Sequence, residues 1–307
     1  DLASLTTAQL AGLSAAQVTA MTTLQVASLD TADVSSLSTV QIRALGTAQM
    51  VALDANQVSA INTLQVQALS TAQLRAIDAD DMAMLATASL AALSTAQVRS
   101  LTNGQLSALT GDQVSHLTPT QIAALSTAQL AAIDSSLLAG MTTSQFSLMT
   151  TGQIAEMGTD QIAQLDTAAI ASLSTAQVAA LRTSQIEALG AEALQALTTA
   201  QAAALSVNQV RAIETADLTV METADIAALG TAQVAGLLDA QINALNAEQL
   251  GALNTAQIRA LSAAQLALLD VDDVNALGTH QIAALGTSQI ASLNTAQLAS
   301  LGSEDLA

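Results

Sequence analysis

The chain of 307 residues contains no cysteine, no tryptophan and no tyrosine, with one proline and one phenylalanine. Its six bases are all arginine and stand against 25 acids, leaving a net charge of −19. Each shortage closes a class of function. Without cysteine there is neither a disulfide framework nor a thiolate metal site. Without aromatics the chain lacks the side chains that supply much of the buried area in ordinary cores and pockets. The surplus of carboxylates repels nucleic acid phosphates and anionic membranes, so neither is an expected partner. Half the residues are apolar, yet polar residues interrupt nearly every octad. No run nears the roughly 20 apolar residues of a membrane helix, and no insertion is expected.

What the chain has instead is a period. From Leu5 to Leu301 one slot recurs every eight residues and holds only Leu, Ile or Met in all 38 occurrences. Three residues before it runs a second apolar slot (Leu10, Val18, Val26, Val34, Ile42), broken only at Ala202. A strict short period makes each unit touch mainly its neighbours, as in solenoids and fibres. We read residues 1–307 as one uninterrupted octapeptide-repeat array, expected to belong to a longer chain or polymer.

Within an octad such as Leu125–Ile133, Ser126 and Gln129 form a capping box, and Leu125 and Leu130 a hydrophobic staple. The slot of Ser126 is Ser, Thr, Asp, Asn or Gly in 33 of 38 octads, the preferred N-caps; Ala86, Arg182, Glu214, Glu222 and Leu238 depart from it. Pro119 falls one place after a cap, at the first helical position, where proline is favoured. Glycine in the cap slot, as at Gly46 and Gly158, can also close the preceding helix in a left-handed conformation. All acids but Glu156 and Glu187 lie on the cap or the next three positions, and five of the six arginines lie near the octad's end. The helix dipole favours that order.

A continuous helix is excluded, because eight residues at 100° each overshoot two turns by about 80°. The fold expected is therefore all-α: a solenoid or superhelix of very short helices, roughly five to seven residues each, with a one-residue corner per octad. A β-solenoid is the competing reading, since Thr and Val suit strands. It leaves the segregated charge and the placement of Pro119 without a cause. The small stripe before the Leu slot (Ala44, Ala52, Ala60, Ala68, Ala76) is expected where successive coils approach. Its large exceptions, among them Met84, His116, Leu148 and Val220, are expected to mark local widening or an end of the buried stripe. The number of octads per coil stays open.

Few residues invite chemistry. Asp78, Asp80 and Asp81, and likewise Asp270, Asp272 and Asp273, gather three carboxylates at a cap and first turn. Such oxygens are weak candidates for calcium; dipole-favoured capping accounts for them more simply. His116 and His280 are isolated from one another. No nucleophilic set stands out, and neither catalysis nor a resident cofactor is expected. The recurring glutamines (Gln9, Gln17, Gln25) evoke stacked amides, as in amyloid, but capping explains them.

Units such as Leu-Ser-Thr-Ala-Gln-Val-Ala-Ala-Leu and Leu-Gly-Thr-Ser-Gln-Ile-Ala-Ser-Leu resemble the octapeptide arrays of very long surface proteins of Gram-negative bacteria, which are often labelled adhesins or haem-utilisation proteins. The resemblance covers essentially the whole chain. It implies secretion and an extracellular or cell-surface filament, sheath or surface layer that associates with itself. The alternative it allows is a spacer stalk presenting a separate binding domain of an adhesin. It transfers no functional residue, and no haem-ligand pattern is present.

Overall fold

The structure is a computed structural model and describes residues 6–301. Its described residues form 37 helices, from α1 (Thr7–Ala11) to α37 (Thr295–Ser300), one per octad, and no strand. The chain divides into two compact units, Asp1–Met157 and Gly158–Ala307. The all-α solenoid holds in each.

The helices are four to six residues long, slightly shorter than expected. Each starts where its cap side chain accepts an amide. The Ser126 hydroxyl takes the Gln129 N–H at 3.2 Å, while Gln129 Oε1 takes the Ser126 N–H at 2.9 Å. Pro119 occupies the first position of α15 (Pro119–Ala124). At glycine caps only the returning half survives, as in Gln161 Oε1 accepting from Gly158 N–H at 2.9 Å.

Two expectations about the corner are corrected. The bend takes two extended residues rather than one: Leu45 lies at φ −63°, ψ 131° and Gly46 at φ −76°, ψ 164°. No glycine among the described residues has positive φ, so cap glycines do not end helices in a left-handed turn. The physical reason is that the apolar residue before the cap has already left the helix in an extended conformation that any side chain tolerates.

Within each unit every helix packs on the helix three places later: α2 (Ala15–Thr19) on α5 (Thr39–Ala44), or α25 (Thr199–Ala204) on α28 (Thr223–Ala228). One coil is therefore three octads, 24 residues. Both apolar slots point inward: Ile42, Leu45, Ile258 and Leu261 are all buried, as is Phe146. Arg43, Arg75, Arg99, Arg211 and Arg259 are exposed. The small stripe does mark close approach. Thr19 donates its hydroxyl to the Ala44 carbonyl of the next coil at 2.8 Å, and a Cβ on Gly236 would overlap Val207 Cγ1. The large residues of that stripe (Met84, His116, Leu148, Val220) turn outward and are exposed. Outward rotation accommodates their bulk without filling the seam.

Candidate functional site

The feature that repeats with most regularity is a buried amide. Most glutamines of the third helical position are almost completely buried, although capping alone would leave them at the surface. Gln73 shows why. Its Oε1 accepts from Ser70 N–H and from the Ser70 hydroxyl, both at 2.9 Å. Its Nε2 donates to the carbonyls of Ile42 and Leu45 at 2.8 and 2.9 Å. Those carbonyls close the corner one coil earlier, 31 and 28 residues back in the sequence. Gln105 repeats the pattern on Leu74 and Ile77, Gln209 on Val178 and Leu181, and Gln249 on Leu218 and Met221. One side chain therefore caps its own helix and pins its corner to the corner below. Such corner carbonyls would otherwise be buried acceptors without a donor, which costs about 1–3 kcal/mol each.

This ladder escaped the sequence reading, which gave glutamine only its capping role. A signal was available. The slot is Gln in 28 of 38 octads and never Glu, although a capping box takes either. A slot that refuses the carboxylate uses the amide N–H. Ser89 supports this, since its shorter hydroxyl donates to the Ile61 carbonyl, again 28 residues back, at 3.0 Å.

The carboxylate clusters are built into caps. Asp270 Oδ1 accepts from Asp273 N–H at 2.8 Å, and Asp273 Oδ2 from Asp270 N–H at 3.1 Å. Asp272 is exposed beside them. Burial, opposed by the hydrogen bond to Asp270 and reinforced by the charges of Asp270 and Asp272, raises the Asp273 carboxyl above its ordinary value. Asp78 Oδ1 accepts from Asp80 N–H at 3.0 Å, and Asp80 is exposed. Asp81 is raised by burial and then by Asp78, Asp54 and Asp80. Asp54 was not foreseen in this group. The 24-residue coil stacks the caps Asp30, Asp54 and Asp78 at one corner of the first unit. Among the described residues no three His, Asp or Glu side chains are grouped as a metal ion would need.

His116 is exposed at the end of α14 (Gly111–His116). Its Nδ1 lies 2.8 Å from the Asp112 carbonyl, 3.2 Å from Ser115 Oγ and 3.4 Å from Asp112 Oδ1. One ring nitrogen meets all three, so the set cannot relay a proton from serine to aspartate as a triad does. His280 is exposed on α35 (Thr279–Ala283) of the other unit. The second unit also carries a shallow open groove lined by Thr183, Glu187, Asn208 and Arg211. No helix among the described residues is long and apolar enough to cross a membrane.

The ALTTAQ repeat, a family of repeated sequence, matches residues 1–31, 26–63, 82–119, 154–191, 210–247, 244–279 and 269–303. No curated protein matches the chain.

Proposed function

The chain belongs to the ALTTAQ repeat family, and from that premise we propose that it is a structural protein, self-assembling into an extracellular bacterial filament, sheath or surface layer. The observation that carries this reading is the glutamine ladder. Each coil offers amide donors on one side and corner carbonyls on the other, so any coil is a template for the next. In the first coil Gln9, Gln17 and Gln25 accept cap N–H groups through Oε1 at 2.8–2.9 Å. Their Nε2 atoms have no partner among the described residues. A following or preceding coil, whether from continuing chain or from a second copy, completes such rungs. A heterologous contact of that kind propagates rather than closes. The partner is therefore the same repeat, and extracellular placement rests on the resemblance of the octads to those of bacterial surface proteins.

Electron microscopy of the purified chain over a concentration series tests the proposal. Filaments or sheets growing with concentration are expected. Monodisperse single particles at every concentration overturn self-assembly and favour the spacer stalk of an adhesin.

A further inference from the structure

Two adjacent octads of the second unit break the ladder in the same way. Glu214-Thr215-Ala216-Asp217 and Glu222-Thr223-Ala224-Asp225 place Asp where the rung glutamine belongs and Glu where the cap belongs. Neither glutamate makes a side-chain cap bond to α27 (Thr215–Val220) or α28. Asp225 is only 2 % exposed, and its Oδ2 is buried without a hydrogen-bond partner. The Thr199 hydroxyl, on the helix below, is its one side-chain donor. Where glutamine donates to the carbonyls 31 and 28 residues back, a carboxylate presents a lone pair to Leu194 and Leu197. Asp217 presents one in the same way to Ile186 and Leu189.

A protonated carboxyl reverses this, because its O–H is a donor in the place of the missing N–H. Ser89 shows that a hydroxyl in this slot reaches the carbonyl 28 residues back. The surroundings offer no cation in compensation. Asp225 has Glu222 on its own helix, no charge on α25 below and Glu248 on α31 (Ala247–Ala252) above. Asp217 has Glu214 beside it, Glu192 on α24 (Ala191–Gln195) below and Asp239 on α30 (Asp239–Ala244) above. Arg211, on the preceding helix α26 (Val207–Ala212), is exposed.

We propose that Asp217 and Asp225 are proton-binding rungs: on acidification each takes one proton from solvent and donates the new O–H to the corner carbonyl of Leu189 or Leu197, so that this part of the second unit tightens as pH falls. Burial and then the neighbouring glutamate raise both carboxyls above the ordinary aspartate value, with Thr199 opposing at Asp225. A folded-state pKa above the unfolded one gives stability that is complete below the unfolded pKa and lost as pH rises through the folded one. Acid therefore strengthens these rungs, whereas it weakens an exposed cap such as Asp134, held low by the Ser136 hydroxyl and then by its amide.

The test has two arms. Carbon-13 titration of the Asp225 carboxyl in the unmodified chain is expected to show a midpoint above that of ordinary aspartate. Thermal unfolding from pH 7.5 to 4.5 then compares the chain with Asp217→Gln/Asp225→Gln, which restores both amides, and with Asp239→Gln/Glu248→Gln, which removes the same charge from exposed positions. The restored variant is expected to melt higher at pH 7.5 and to lack the acid-induced rise relative to the other two. An Asp225 midpoint at or below the ordinary value overturns the proposal, and so do parallel pH profiles for all three proteins. Should the restored variant fail to fold, the carboxyl titration alone decides.

Discussion

Replacing Gln73 by glutamate keeps the capping acceptor and removes only the coil-to-coil donor, so the variant isolates the ladder. Two bonds of 2.8 and 2.9 Å are lost, each contributing about 0.5–1.5 kcal/mol net. The introduced carboxylate also faces the Ile42 and Leu45 carbonyls at a position that is 4 % exposed, and an uncompensated buried charge costs about 3–5 kcal/mol. Partial outward rotation relieves some of this, and a total loss of about 3–5 kcal/mol at pH 7.5 is expected. Gln73→Met keeps the volume without the charge and is expected to lose about 2–3 kcal/mol at any pH. The introduced carboxyl titrates high because it is buried, so its penalty shrinks to about 1–2 kcal/mol once it protonates and donates to one carbonyl. Guanidinium unfolding followed by circular dichroism at 222 nm, at pH 7.5 and 4.5 and referenced to the parent chain, measures each value. Hydrogen exchange in α6 (Thr47–Val51) and α9 (Thr71–Ala76) localises the damage to the coil pair around the rung, as expected for nearest-neighbour stability. A loss under about 0.5 kcal/mol, the ordinary range for surface changes, refutes the reasoning. So does a loss that is equal for both variants at both pH values.

Leu165→Asp places an unpaired charge at a position 6 % exposed and is expected to cost about 4 kcal/mol or more. Arg99→Ala, on the exposed face, is expected to stay within about 0.5 kcal/mol; equal effects in the same unfolding assay would undo the assignment of faces. Gly236→Ala drives a methyl into Val207 Cγ1 and is expected to lower stability by about 1–2 kcal/mol. Adding Val207→Ala should recover most of that loss, and a purely additive double variant would reject the contact. Millimolar calcium is expected to leave the melting midpoint unchanged, because Asp270 and Asp273 already cap each other. A raised midpoint that Asp272→Asn abolishes would instead establish a site there.

The resemblance of the octads to bacterial surface arrays and the family match agree on the repeat, and neither speaks to assembly. The proposed filament therefore stands on the ladder and on microscopy. The pH behaviour of Asp217 and Asp225 stands apart from it, since a stalk would carry the same two rungs.

One octad's worth of sequence was enough to specify the helix. Ser126 and Gln129, Thr118 and Pro119, and the staple Leu125 with Leu130 act within five residues of one another, so their hydrogen bonds and packing can be read without knowing the fold. The inward face was legible for the same reason, because only the two apolar slots recur at every turn. Three octads per coil was not legible. Coil closure depends on the angle accumulated over three two-residue corners, each an extended Leu followed by its cap, and no single octad encodes that sum. Only the closed coil brings Gln73 over Ile42 and Leu45, adds Asp54 to Asp81, and turns Asp225 from one more capping acid into a buried carboxyl beneath which two carbonyls lack a donor. Local hydrogen bonds choose the helix; contacts 28 and 31 residues apart choose the coil, and those exist only once the chain has come round.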